Sequence, residues 1–170
     1  MAQELTEIRN LDQLTAQMKL QGVVTLIFKR LAPNDNSKNQ IYLGGNYSAL
    51  QLLPFGKVTA DHSRKDSKRD RFKAILPFYW LDGSGHVFEA PNAQLILYPK
   101  YPEVRMSGFL MGAERAPSRC LRSRDVGRTL ILGITNDRRI IGHLIEIDNP
   151  VSRELEQWDN DHVFCTIFKE

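Results

Sequence analysis

The 170-residue sequence holds only two cysteines and four histidines, and no apolar stretch approaches the ~20 residues that a membrane span requires. Cys120 and Cys165 form no C-x-x-C pair and have no histidine at metal-ligand spacing, so they read as two free thiols in or near the core. His62, His86, His143 and His162 stand singly in strand-like or turn segments, which suits surface or satisfied core residues better than catalysts. There is no P-loop, dinucleotide fingerprint, H-E-x-x-H or zinc-finger spacing, and Gly44-Gly45-Asn46-Tyr47 lacks the lysine of a phosphate loop. A nucleophile beside its base, or carboxylates gathered around a lysine, cannot be assembled. The acidic group Glu154, Glu156, Asp159 and Asp161 reads as a solvated face rather than a metal site. The expectation is a non-enzyme with no catalytic residue, metal or cofactor of its own. The N-terminus, with Glu4 and Glu7, has neither the basic nor the apolar region of a signal peptide, so a soluble cytoplasmic protein with no membrane partner is expected.

What is present in quantity is apolar residue, at 42%, and basic charge in one place. The hydrophobic content suffices for a single core without metals or disulfides. The net charge of +3 conceals its distribution. Residues 1–27 carry two basic and three acidic groups, residues 28–139 nineteen and ten, and residues 140–170 two and seven, for local balances of −1, +9 and −5. A basic middle between acidic ends suits a protein that displaces counterions from a polyanion on one face while the rest stays soluble. Scattered, solvated lysines and arginines are the plainer alternative.

Leu5, Ile8, Leu11, Leu14 and Met18 recur at helical spacing and predict a helix from Thr6 to Leu20, stopped by Gly22. A β-rich run follows from Val23 to Leu31, then a loop signal from Pro33 to Ser37, a short strand at Gln40–Leu43 and a brief helix between Ser48 and Leu53. Further strands are predicted at Lys57–Ala60, Phe72–Leu81, His86–Glu89, Ala93–Tyr98, Val104–Phe109, Thr129–Thr135 and Ile140–Ile147. Asp82-Gly83-Ser84-Gly85 and Asn136-Asp137 are natural hairpin connections. Asn149 before Pro150 predicts a terminal helix at Val151–Trp158, leading to a last strand at His162–Phe168. Helical crossovers are missing, so the class is mainly β, a barrel or sandwich with short flanking helices.

Two segments carry side chains suited to reading bases. The run after the first long strand, Asn34, Asp35, Asn36, Ser37, Lys38, Asn39 and Gln40, is dense in groups that match base edges in the major groove, although an Asx-rich hairpin loop has the same composition. The second comprises Lys100, Tyr101, Glu103, Arg105, Met106 and Ser107, stiffened by Pro99 and Pro102. Strand alternation puts Glu103, Arg105 and Ser107 on one side. There Arg105 can fork onto a guanine and Glu103 can accept from a cytosine amino group; a cross-strand ion pair is the structural alternative. Phosphate contacts are expected from Lys29 and Arg30, from Arg64, Lys65, Lys68 and Arg69, and from Arg115 and Arg119, which belongs to a second basic run continuing through Arg122, Arg124 and Arg128.

The run Lys29-Arg30-Leu31-Ala32-Pro33-Asn34-Asp35, the polar loop after it and the helix closed by Leu53-Pro54 resemble the B3-like N-terminal effector domain of EcoRII/UbaLAI-type restriction endonucleases. Ile96-Leu97-Tyr98 leading to Glu103-x-Arg105, a basic loop and the apolar strand at Leu130–Ile134 continue the resemblance, over roughly residues 23–135. It implies a seven-stranded pseudobarrel that grips the major groove with an N-arm, Asn34 to Gln40, and a C-arm, Lys100 to Ser107. It further implies one domain with an N-terminal helix at 1–22, a pseudobarrel core at 23–148 and a C-terminal helix and strand at 149–170. The implied function is recognition of duplex DNA containing CC(A/T)GG by a monomer that belongs to a longer type IIE enzyme of a prokaryotic cell. A C-terminal nuclease domain of the same polypeptide, using Mg, would do the cutting. This N-arm is less glycine-rich than the EcoRII pattern, and this C-arm holds prolines and fewer basic residues. The competing class is a small nuclease or RNA-processing enzyme with an unrecognised active site, and a third is a barrel whose basic face meets an acidic protein.

Overall fold

The computed structural model describes residues 10–31, 40–43, 52–60, 71–81, 85–98, 103–108, 127–145, 149–156 and 163–167. The first element is helix α1, Leu11–Leu20. It starts where it does because Asn10 is extended and its side chain accepts from the Gln13 N–H at 2.8 Å, filling one of the orphan donors of the first turn. Its end is a tight turn at Gln21 and Gly22, and Gly22 takes φ +80°, a conformation that glycine adopts without strain. The expected residues Thr6 to Arg9 lie outside the described residues.

Among the described residues eleven strands follow, in two sheets. In chain order they are β1 Val23–Arg30, β2 Ile41–Tyr42, β3 Thr59–Ala60, β4 Phe72–Ile75, β5 Phe78–Leu81, β6 Val87–Glu89, β7 Gln94–Tyr98, β8 Glu103–Ser107, β9 Thr129–Thr135, β10 Ile140–Ile145 and β11 Val163–Ile167. Helix α2, Pro150–Glu156, lies between β10 and β11. One sheet has six strands in the order β11-β1-β9-β10-β5-β6 and the other five in the order β2-β8-β7-β4-β3. The protein is mainly β, as the patterning implied. A seven-stranded pseudobarrel is not confirmed: the described strands form sheets of six and five, and neither closes on itself among the described residues.

The clearest departure is the long strand expected at Phe72–Leu81, which is two strands in different sheets. Pro77 has no N–H to give to a ladder, and the chain changes partners on either side of it. Leu76 N–H donates to Ala93 in the five-stranded sheet's side, whereas the Pro77 carbonyl accepts from Ile140 and the Phe78 carbonyl from Ala90. β5 then runs parallel to β10, the one parallel pairing among the described residues.

Two apolar clusters make three layers. Between the sheets, Ile27, Leu132, Ile140, Phe78 and Trp80 of the first meet Ile41, Ala74, Leu95, Val104 and Met106 of the second. On the other face of the six-stranded sheet, Leu14 and Met18 of α1 and Val151 of α2 cover Leu26, Phe28, Ile131, Ile141 and Ile145. Close approach is built in at Gly133, where a Cβ would come within 2.7 Å of Val23 Cγ2. The helices are joined end to side, because the Leu11 N–H donates to Glu154 Oε2 at 2.9 Å. Glu154, expected from the sequence on a solvated face, thus helps fasten α1. Asn149 starts α2 as expected, its side chain accepting from the Val151 N–H at 2.9 Å. The β9–β10 turn is held by Asp137, which accepts from Thr135 Oγ1 and pairs with Arg139 at 2.9 Å. Both contacts hold its carboxyl below the usual carboxylate range, the Thr135 hydroxyl more than the guanidinium.

Candidate nucleic-acid interface

The outward face of the five-stranded sheet follows from strand alternation. Ala74, Leu95, Val104 and Met106 point into the core, so their neighbours in sequence point out. The register then sets Tyr42, Arg105, Ile96, Lys73 and Thr59 in one row across all five strands. Ile96 belongs to neither core cluster yet is fully buried in the middle of this row, while Tyr42 on one side of it is 37% exposed. Ile75, 71% exposed, marks the other margin of the face.

Cations on this face sit against rings and carbonyls. The Arg105 guanidinium lies 5.4 Å from the Tyr98 ring centroid, and its Nη1 donates to Gln40 Oε1 at 3.2 Å. Its Nε is shut off from solvent. The Lys29 ammonium, from β1 in the other sheet, donates to the Tyr42 backbone carbonyl and lies 5.7 Å from the Tyr42 ring. Cation–ring contacts at such distances are favourable within the folded protein.

The ladders also decide which of the remaining segments are rooted together. The carbonyl of Arg128 accepts from Leu31 N–H and Gly127 N–H donates back to Leu31, both at 2.8 Å, so the end of segment 109–126 meets the start of the N-arm. Ile41 pairs with Met106, so the end of the N-arm meets the start of the same segment. The segment holding Arg115 and Arg119 and the N-arm therefore share both roots. At the other end of the sheet, Ala60 pairs with Phe72, Phe72 with Leu97, and Tyr98 with Glu103. That sequence of pairs sets the roots of segment 61–70, with Arg64, Lys65, Lys68 and Arg69, beside the C-arm turn at 99–102.

Several expected residues take other places. Met106 is fully buried in the inter-sheet core and cannot meet a base there. Lys29 is 3% exposed and its ammonium holds the seam between the sheets, so it is not placed to meet phosphate. Ser107 is 8% exposed and accepts from Gln94 Nε2 at 3.3 Å. Arg30, by contrast, is exposed at the end of β1. Glu103 occupies its place in the β8 backbone opposite Tyr98. Asn34, Asp35, Asn36, Ser37, Lys38, Asn39, Lys100, Tyr101, Arg64, Lys65, Lys68, Arg69, Arg115 and Arg119 lie outside the described residues. Residues not anticipated are Tyr42, Tyr98 and Lys73. Their signal was available: each sits at the alternate position of a strand whose intervening residues are apolar. Among the described residues no group of three or more histidines, cysteines and carboxylates is placed to hold a metal ion. No described helix is long and apolar enough to cross a membrane.

No protein-family profile matches the chain, and no curated protein matches it in sequence.

Proposed function

We propose that the chain is a sequence-specific recognition module for double-stranded DNA, reading the major groove with the N-arm and the C-arm. The observation that carries this reading is the shared rooting: each polar arm leaves the fold beside a segment rich in arginine and lysine. Phosphate contacts position a protein on the duplex and base contacts specify the site, so a reader needs both kinds of residue side by side. In this reading the two sheets are a B3-like pseudobarrel. The module serves as the target-binding domain of a type IIE restriction endonuclease with the site CC(A/T)GG, and the nuclease lies in another segment. Arg105 forks onto a guanine through its terminal nitrogens, and Arg30 and the two basic segments hold phosphates.

The test is a fluorescence-anisotropy titration of the chain against a CC(A/T)GG duplex and against duplexes changed at one base pair each, with and without magnesium. The expected result is selective binding without cleavage. Arg105→Ala should cost about 1–3 kcal/mol and relax discrimination at one base pair. Equal affinity for all duplexes and for heparin would sink the proposal in favour of a general polyanion surface. Cleavage by the purified chain would replace it with the nuclease reading.

A further inference from the structure

Gln40 is the last residue of the N-arm and its one described residue, and Arg105 lies on the strand that follows the C-arm turn. They are 65 residues apart in sequence, and their side chains meet at 3.2 Å. This contact joins the last residue of the N-arm to the middle of β8, within the C-arm, side chain to side chain. The geometry around it is asymmetric. Tyr98, diagonal to Arg105 on β7, faces the guanidinium at 5.4 Å, a contact that holds the cation near the ring but is tolerant of rotation in its own plane. The Gln40 carbonyl oxygen adds a directional acceptor at one terminal nitrogen. Together a ring and an amide restrict an otherwise rotamer-rich side chain.

The identity of the acceptor matters. An arginine that must dock two parallel N–H groups on a guanine loses rotamer freedom in doing so, and a partner that orders it beforehand reduces that cost. A carboxylate in the same place would make a stronger, charge-assisted bond and neutralise the guanidinium. A neutral amide orients without neutralising. Gln40 has no bulk or charge that would itself repel phosphate, and its position on the far side of the N-arm means that any movement of the arm's end displaces the acceptor.

We propose that Gln40 is a positioning residue for Arg105, so that the N-arm and the C-arm read DNA as one coupled unit. The inference rests on the proposed DNA recognition, and it assigns Gln40 a task different from direct contact with adenine. Its first consequence is non-additivity: once Arg105 is gone, the Gln40 amide has nothing left to orient. Its second is that loss of Gln40 weakens discrimination at the base pair read by Arg105, not at a base pair of its own.

Duplexes selected from a random pool on the wild-type chain, and their single-base-pair variants, supply the binding test. Gln40→Leu should weaken binding about tenfold and relax discrimination at the same base pair as Arg105→Ala, and the double variant should bind no worse than Arg105→Ala alone. Gln40→Asn, which keeps the amide but is one methylene too short to reach, should behave as Gln40→Leu does. Additive losses at two different base pairs would overturn the assignment and make Gln40 a reader. The free protein gives a second measurement that needs no DNA. The Arg105 Nε–H signal in a nitrogen-15 spectrum should be sharp in the wild type and broaden in Gln40→Leu, and an unchanged signal overturns the positioning role. A pool that yields no selected sequence overturns DNA recognition itself, and the spectrum then still decides whether Gln40 orders Arg105.

Discussion

The two sheets of this protein are built from different kinds of strand. β9, Thr-Leu-Ile-Leu-Gly-Ile-Thr, is buried along its whole length, because the six-stranded sheet has core on one face and helices on the other. β8, Glu-Val-Arg-Met-Ser, alternates, with Val104 and Met106 inside and Arg105 on the opposite face. A sheet covered on both faces needs continuous apolar runs, whereas the outward positions of the five-stranded sheet are mixed, with Lys73 and Arg105 partly exposed and Ile96 fully buried between them. Both sheets contribute to the core between them, and Lys73 and Arg105 take outward positions on the second.

The sharpest way to break this comparison is to truncate one large side chain in each sheet. Trp80 is 1% exposed and packs edge-on against Phe78 at 4.9 Å between ring centroids, so Trp80→Ala removes material from the centre of the molecule. A loss of about 3–5 kcal/mol is expected in urea denaturation. Ile75→Ala, on the outward margin of the five-stranded sheet, should change stability by no more than about 0.5 kcal/mol. Comparable losses from the two would mean that the outward face is as much core as the inner one.

Lys29 lies on the border between the two sheets, and it tests which side of the border it serves. Its ammonium is buried and donates to the Tyr42 carbonyl, tying β1 of one sheet to β2 of the other. Lys29→Ala removes the donor from that carbonyl and should cost about 1–3 kcal/mol of stability. It should leave the salt dependence of the proposed DNA binding unchanged. A slope shallower by about one unit would return Lys29 to the phosphate contacts that its sequence suggested.

Much of the fold was legible because period-2 and helical patterns are written in residue types that burial enforces. α1, β1, β9, the Asn149 start of α2 and the pairing of β5 with β6 across the Asp82–Gly85 connection all follow from such local signals. Pro77 carried the warning that Phe72–Leu81 is not one strand, but a lone proline inside an apolar run does not say that the chain changes sheets. Which sheet each strand joins depends on contacts remote in sequence, such as Ile140 against Phe78 and Ile41 against Met106. The placement of the candidate residues was legible to the same extent. Arg105 stood out by its alternation with apolar neighbours. The same alternation should have removed Met106, which sits at the inward phase, and pointed to Tyr98 and Tyr42. Lys29 was the harder case, since nothing local distinguishes a buried lysine with a carbonyl partner 13 residues away from a solvated one.

The smallest expected effect concerns a titratable group inside the well-covered sheet. His143 on β10 is half-buried, and its Nδ1–H donates to the Leu81 carbonyl at 3.1 Å, continuing the β10–β5 contact past Gly142. Burial lowers its pKa below the ordinary 6.5; the Leu81 carbonyl opposes the shift and the positive charge of Arg128 adds to it. Because the folded-state value lies below the unfolded one, the unfolded chain takes up a proton first as pH falls. The stability associated with neutral His143 is thus complete above the unfolded pKa and diminishes as pH drops through it toward the folded value. His143→Gln keeps an N–H donor for Leu81 and has no proton to gain. Urea midpoints measured from about pH 7.5 to about pH 5.5 should therefore fall further for the wild type than for this variant. Parallel curves would show that the six-stranded sheet tolerates the charged imidazole, and that its dryness ends before β10.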